Sequence, residues 1–431
     1  MEEVRKKANW KTIRNVLLIP IITMMIGYLL LVIVYLIPNY AIKDTVYSSS
    51  LKLYTQGDYP KGYSVSGWYL DNRTDADCIA VTYNTDGRNP FYNALDSFES
   101  GASEPAVGTQ ALFDSMQGMK ELSHDHSYLW NGFRVWLRVL LLRYDVSEIR
   151  VLLYWVSIVA ITLFCILIVF VKKSLFACIP FLAAITMFDF QTETYSFLFF
   201  TDIFIAVVAS IVMICMYQSN KDKYLYEFYA LLGAIIAFYS MLILPMLSLG
   251  FPIITWFLLL KDEEKSRGGI CRFVKMCASW LAGYGLTMIA KIILSGLFIH
   301  PGEGLGKVLY YTGQGVTDMG DRIKVVCDIF LTTINRSQVW IDMIIVLIII
   351  SVVRIIALKR KIWKPVRILL PIFIVAVMPC VWCFVCAVHA GHGWTPWNYS
   401  LTVYALVGTA CELAGFYQIR WLRIPRGEKN D

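Results

Sequence analysis

Long apolar stretches separated by short polar breaks fill most of this chain, and one long polar stretch interrupts them near its start. The first apolar run, residues 16–38, follows a basic cluster of Arg5, Lys6, Lys7, Lys11 and Arg14. The second, 151–171, ends at Lys172 and Lys173. The third begins at Ser174 and comes out near Asp189, turning through Gln191, Thr192, Glu193 and Thr194 into a fourth that ends at Gln218, before Lys221 and Lys223. The fifth starts near Phe228 and breaks at LPMLSLGFP, where Pro245, Gly250 and Pro252 do not all fit one regular helix. The sixth ends by Leu260, ahead of Lys261, Lys265, Arg267 and Arg272. A seventh covers 273–299, an eighth 339–358 and a ninth 366–388, and a tenth ends before Arg420, Arg423 and Arg426. A bilayer core takes about 20 apolar residues in helical form. The pattern therefore predicts an all-α polytopic transmembrane helical bundle of about ten spans with a large first extracytoplasmic loop.

Charge gives the spans a direction. Basic residues before the first span place the N-terminus in the cytoplasm, and each short connection then assigned inside carries Lys or Arg. Both termini fall in the cytoplasm of a multi-pass cell-membrane protein. Residues 16–38 are long enough to span and lack a convincing small-residue cleavage site, so they read as a retained helix and not a signal peptide. The organisation is 1–38 as N-terminus and first transmembrane helix, 39–150 as extracytoplasmic loop with an interfacial amphipathic helix, and 151–431 as the multi-span domain.

Composition agrees: 57% of the 431 residues are apolar and 16% charged. The net charge of +7 does not imply nucleic acid, because the basic residues gather beside hydrophobic spans. The partner it implies is the lipid bilayer. Cys380 and Cys383 form a CxxC, but inside an apolar run this spacing reads as packing.

Candidate chemistry concentrates on the predicted outer face. Asp44, Asp71, Asp75, Asp77, Asp125, Asp189 and Glu193 fall there, with His124, His126, His300, His389 and His392 on or near it. Asp71 and Asp75 are candidate catalytic bases; the plainer alternative makes Asp71 and Asn72 an Asx turn before a helix, with Asp75 in its first turn. Between Tyr128 and Tyr144, apolar residues recur at helical spacing, while Asn131, Arg134 and Arg138 form a polar stripe. That pattern predicts a helix in the interface, serving as an anchor or offering Arg134 and Arg138 to a lipid phosphate. Lys291, about two turns inside the seventh span by helix rise, needs a partner or a water-filled pocket unless its stem snorkels outward. Gly283, Gly285 and Gly296 favour close helix packing, and Asp202, Asp342 and Glu412 favour ion pairing between helices.

One span, a large external loop with acidic residues and an interfacial helix, then many spans with short connections resembles the GT-C class of integral-membrane glycosyltransferases. LDNRTDA at 70–76, WNGFRVWLR, SEIRVL, SWLAGYG followed by AKI, and Gly391-His392 before an aromatic-rich helix start are similar to strings in bacterial membrane proteins associated with that class. The resemblance implies transfer of a sugar from a polyprenyl-phosphate-sugar donor to a surface polysaccharide or glycolipid acceptor, in a bacterial envelope. The class usually places its acidic residue soon after the first span, where Asp44 stands alone, whereas Asp71 and Asp75 come later. A lipid phosphate leaves as a stabilised anion and needs no general acid, so one carboxylate suffices to deprotonate the acceptor. Cations, or a divalent metal held by Asp and His, would stabilise charge growing on the phosphate. Substrate-binding candidates are Arg134, Arg138, Asp189, Glu193, Lys291 and His392; the metal requirement is open. A transporter or flippase using the broken LPMLSLGFP segment with Glu412 and Lys291 is the main rival, and a non-catalytic assembly partner is the third reading.

Overall fold

A computed structural model describes residues 2–60, 70–85, 87, 89–97, 99–101, 108–119, 121–123, 127–187, 196–240, 244–266, 268–299, 319–336, 338–357, 366–385 and 395–419. The first helix, α1, is Glu2–Val34, and α7 is Val146–Lys172. Between them lie α2 (Asn39–Gln56), α3 (Asn72–Tyr83), α4 (Pro90–Leu95), β1 (Glu99–Gly101), α5 (Thr109–Met116), β2 (Glu121–Ser123) and α6 (Arg134–Leu140). After α7 come α8 (Ile179–Thr186), α9 (Phe197–Gln218), α10 (Leu225–Tyr239), α11 (Pro245–Leu259), α12 (Asp262–Ser266), α13 (Gly269–Phe298), α14 (Met319–Arg336), α15 (Gln338–Ala357), α16 (Val366–Val385) and α17 (Ser400–Ala414). The two strands pair antiparallel, Glu99 opposite Ser123, and the other regular elements among the described residues are helices.

Four of these helices are long and apolar enough to cross a membrane: Trp10–Val34 within α1, and α7, α9 and α13. Shorter apolar helices include Pro245–Leu259, Ile344–Ala357 and Leu370–Val385. Helices α1 and α7 expose rows of Leu, Ile and Val, as a surface that meets lipid does. Helix α9 is the opposite case, with 72% of its apolar window buried against 22% for α1 and for α7, and so forms the centre of the bundle.

Close backbone contact sets the crossing of α10 and α13. A Cβ at Gly233 would overlap the Trp280 carbonyl, and one at Gly283 would overlap the Ala230 carbonyl. Of the glycines expected to pack, Gly283 therefore does so by necessity, while Gly285 and Gly296 face open space. The LPMLSLGFP break falls earlier than the sequence suggests. Helix α10 stops at Tyr239 and α11 starts at Pro245, in the first-turn position where a missing N–H costs nothing, and both Gly250 and Pro252 lie inside α11. Next to Pro252, the Ser248 hydroxyl donates to Pro245 O at 2.8 Å and receives the Trp280 indole N–H at 3.1 Å.

The described residues of segment 39–145 pack together as a folded body. The apolar face of α2, with Ile42, Val46 and Leu53, packs on α3, α5 and α7. Its other face exposes Tyr40, Lys43, Asp44, Tyr47 and Leu51. The helix expected over 128–144 is only α6, one of its causes being Asn131 at a positive φ of 49° just before it.

Candidate active site

The site region is the junction where segment 39–145 meets the ends of α1, α7, α9, α10 and α13, and buried cations build it. Arg134 is fully buried and donates to six acceptors. Its Nε–H reaches Asn131 O at 3.1 Å, and its terminal nitrogens reach Tyr35 Oη (3.0 Å), Asn93 O (3.1 Å), Asp96 O (2.7 Å), Ala94 O (3.0 Å) and Trp130 O (3.0 Å). The carbonyls of 93, 94 and 96 lie at the C-terminal end of α4, where a helix leaves its acceptors unpaired and its dipole favours a cation.

Lys291 completes that cap. Its ammonium, buried within α13, donates to Leu95 O and sits 5.3 Å from the centre of the Trp130 ring. The indole N–H of Trp130 in turn donates to Thr287 O on α13 at 2.9 Å. An intramembrane ammonium requires compensation; here a carbonyl and a ring supply it, in place of snorkelling. Gly132 ties the same loop to α10 through N–H donation to Phe238 O at 2.8 Å, with no room for a Cβ.

Arg138 does for α1 and α3 what Arg134 does for α4. It donates to Val34 O (3.1 Å) and Ile37 O (2.7 Å) at the end of α1, to Thr82 O (2.6 Å) in α3 and to Asn39 Oδ1 (2.7 Å). The Tyr35 ring lies under both guanidinium groups, 5.3 Å from Arg134 and 4.7 Å from Arg138. The polar stripe of the sequence thus points into protein, and neither arginine presents itself to a lipid phosphate.

Asp75 makes the third junction. Its Oδ2 accepts from Arg150 Nε (3.0 Å) and Nη2 (2.6 Å), and its Oδ1 from Phe197 N (2.9 Å) and Ser196 Oγ (3.2 Å). One carboxylate therefore links α3 to the first turns of α7 and α9. Burial pushes its carboxyl up to about 6, with Arg150 and the Phe197 N–H pulling the other way. Asp71 caps α3, its Oδ1 accepting from Thr74 N at 2.9 Å and its Oδ2 from the Thr74 hydroxyl at 2.6 Å. Both candidate bases are thus brought to one helix start, Asp71 engaged as its cap and Asp75 by Arg150, Ser196 and Phe197. Asp44, in contrast, is exposed on α2 and makes no hydrogen bond or ion pair to a described residue.

Asp189, Glu193 and His392 lie outside the described residues, as do Asp125 and the other four histidines, so the junction cannot be extended to them. Among the described residues no three His, Cys, Asp or Glu side chains converge as a metal site would require. One participant, Arg150, escaped sequence reasoning, and one expected ion pair, that of Asp202, is replaced by another role. Arg150 carries the same signal as Lys291, a cation at the edge of an apolar run that needs a partner. Asp202, within α9, accepts at Oδ2 from the Ser240 hydroxyl (3.0 Å) and Leu244 N (2.9 Å), while its buried Oδ1 has no described partner. It bridges the break between α10 and α11, so its fate is backbone capping and not an ion pair. Glu412 does find one, with Lys265 at 2.5 Å.

Comparison with protein-family models, with characterised proteins and with solved structures finds no match.

Proposed function

We propose that this protein is a membrane glycosyltransferase of about ten spans, with both termini cytoplasmic, that moves a sugar from a polyprenyl-phosphate donor to a surface polysaccharide or glycolipid outside the cell. The observation that carries the reading is a folded polar body tied by buried cations to the ends of apolar helices. Such rigid support is what a reaction at the membrane face needs to hold a lipid-linked donor against an acceptor.

Within this proposal the base is Asp44. Asp71 and Asp75 are occupied in holding α3, whereas Asp44 is exposed and lies on the first helix after α1, where the resembling class keeps its acidic residue. Its carboxylate takes the proton of the acceptor hydroxyl as that oxygen bonds to the anomeric carbon. The bond from that carbon to the phosphate oxygen breaks, and the electron pair leaves with the polyprenyl phosphate. Arg134, Arg138 and Lys291 act by fixing the wall.

The test is deletion of the gene in its host, complementation with variants, and analysis of surface glycans and lipid-linked intermediates. Asp44→Asn is expected to reach the membrane at normal level, to lose transfer and to accumulate polyprenyl-phosphate sugar. Full transfer by Asp44→Asn would overturn the assignment of the base, and an unchanged glycan profile on deletion would overturn the activity.

One observation favours a second reading, transport. Asp202 is an intramembrane carboxylate with an unpartnered oxygen beside a helix break, a placement used for coupling protons or cations.

A further inference from the structure

A groove of about 380 Å³ lies between α1, α10 and α13, far along α1 from the junction with segment 39–145. Thr12, Ile13 and Val16 form one wall, Tyr226 a second, and Lys275 and Ser279 a third. Its floor is mostly apolar, and Ile13 is exposed along it. Lys275 stands exposed at the rim, its ammonium 5.7 Å from the centre of the Tyr226 ring, and forms no ion pair with a described acid. Lys11 and Arg14 are exposed on the same turns of α1. The acids nearby are Glu227, Asp222 and Glu264, and Arg272 faces Asp222. Trp10, 70% exposed, and the exposed Tyr224 mark this level as the headgroup layer, where amphipathic rings collect.

An apolar slot that opens between helices at headgroup depth under an exposed ammonium has the shape and the charge of one kind of occupant. We infer that this groove binds an anionic glycerophospholipid, one acyl chain lying along Ile13 and Val16 and the phosphate meeting Lys275. The Tyr226 ring holds the ammonium at the rim, and the Thr12 and Ser279 hydroxyls give the headgroup polar company. A zwitterionic headgroup brings its own cation against Lys275 and the basic turn of α1, so charge complementarity selects the anionic lipid. A lipid wedged between α1 and the α10–α13 pair would brace the helix that leads into Tyr35, the ring beneath Arg134 and Arg138. The inference does not depend on what the opposite end of the molecule catalyses.

The test uses the full-length protein in detergent, with phosphatidylglycerol or phosphatidylcholine added at matched concentrations and bound lipid counted by native mass spectrometry. Wild type is expected to retain phosphatidylglycerol preferentially. Lys275→Ala removes one interfacial charge and is expected to weaken that retention about fivefold. Val16→Trp fills the slot and is expected to lower it as well, while Lys275→Arg restores it. Circular dichroism and elution volume show whether each variant is folded. Equal retention of the two lipids by wild type overturns the inference. So does unchanged phosphatidylglycerol retention in folded Lys275→Ala or Val16→Trp, or a dimer that occupies the face in either lipid.

Discussion

Two groups of buried charge sit side by side in this molecule, and the fold treats them differently. Where segment 39–145 meets α1, α3, α4 and α7, the charges of Arg134, Arg138, Arg150 and Asp75 are matched: Arg134 and Arg138 collect carbonyls, and Asp75 accepts four hydrogen bonds. Deeper in the bundle the matching stops. Asp202 keeps one oxygen buried without a described partner. A fully matched buried charge fixes geometry. An unmatched one is kept at a cost, and it marks where a proton, a cation or a substrate atom can be received.

The largest expected effect comes from emptying the matched group. Arg134→Ala strands the carbonyls of Asn93, Ala94, Asp96 and Trp130, and a buried unsatisfied polar group costs on the order of 1–3 kcal/mol. Segment 39–145 should lose its fold, read as rapid proteolysis in membranes from which wild type emerges intact. A variant as resistant as wild type would erase the distinction between the two groups.

Arg150→Ala comes next. It leaves the Asp75 carboxylate buried and without its cation, and breaking such a pair costs about 3–5 kcal/mol. The same carboxyl sets a pH dependence. Its value in the folded protein, about 6, lies above that of a free aspartate, about 4. Across this window the folded state holds more protons than the unfolded state. Its contribution to stability is therefore complete below about 4 and is lost as pH rises through about 6. Thermal unfolding of wild type should move to lower temperature over that rise, and Asp75→Asn should flatten the slope. An equal slope in Asp75→Asn would assign the titration elsewhere.

How these charges are matched explains what the sequence could and could not disclose. Each apolar run holds a helix in the described residues, because apolar periodicity marks helices, but four of those helices have the length and composition to cross a membrane. Asp71 and Asp75 were legible as a cap and a first-turn acid, since the spacing in DNRTD is local. The direction of Arg134 and Arg138 was not. Their partners are main-chain carbonyls, which every residue has and no sequence pattern marks, so a helical stripe of arginine looked like a surface when it was an interior. The α10–α11 break was visible as a composition but misplaced by a few residues, because Pro245 opens α11 instead of interrupting it.

A smaller effect tests the edge of the matched group. Asp71 caps α3 from a nearly buried position, and removal of such a cap costs about 1 kcal/mol. Asp71→Ala should lower the unfolding temperature modestly and leave sugar transfer near the wild-type rate per folded molecule. Loss of transfer in a folded Asp71→Ala protein would return the role of base from Asp44 to Asp71.

The least disturbing change to the fold is the most informative about function. In Asp202→Asn the amide oxygen can still accept from the Ser240 hydroxyl and Leu244 N, so the break between α10 and α11 keeps its cap. The amide NH₂ replaces the oxygen that had no described partner, and a buried charge disappears. Stability should therefore change by less than about 1 kcal/mol in either direction. Activity then separates the two readings. If a glycosyl group is moved at the outer face, Asp202→Asn should leave transfer intact, because the residue serves only as a cap. If the unmatched oxygen carries a proton or a cation, the variant should fold as well as wild type and lose uptake driven by an ion gradient in proteoliposomes. The charge that the fold leaves unmatched would then be the working part, and the matched group its frame.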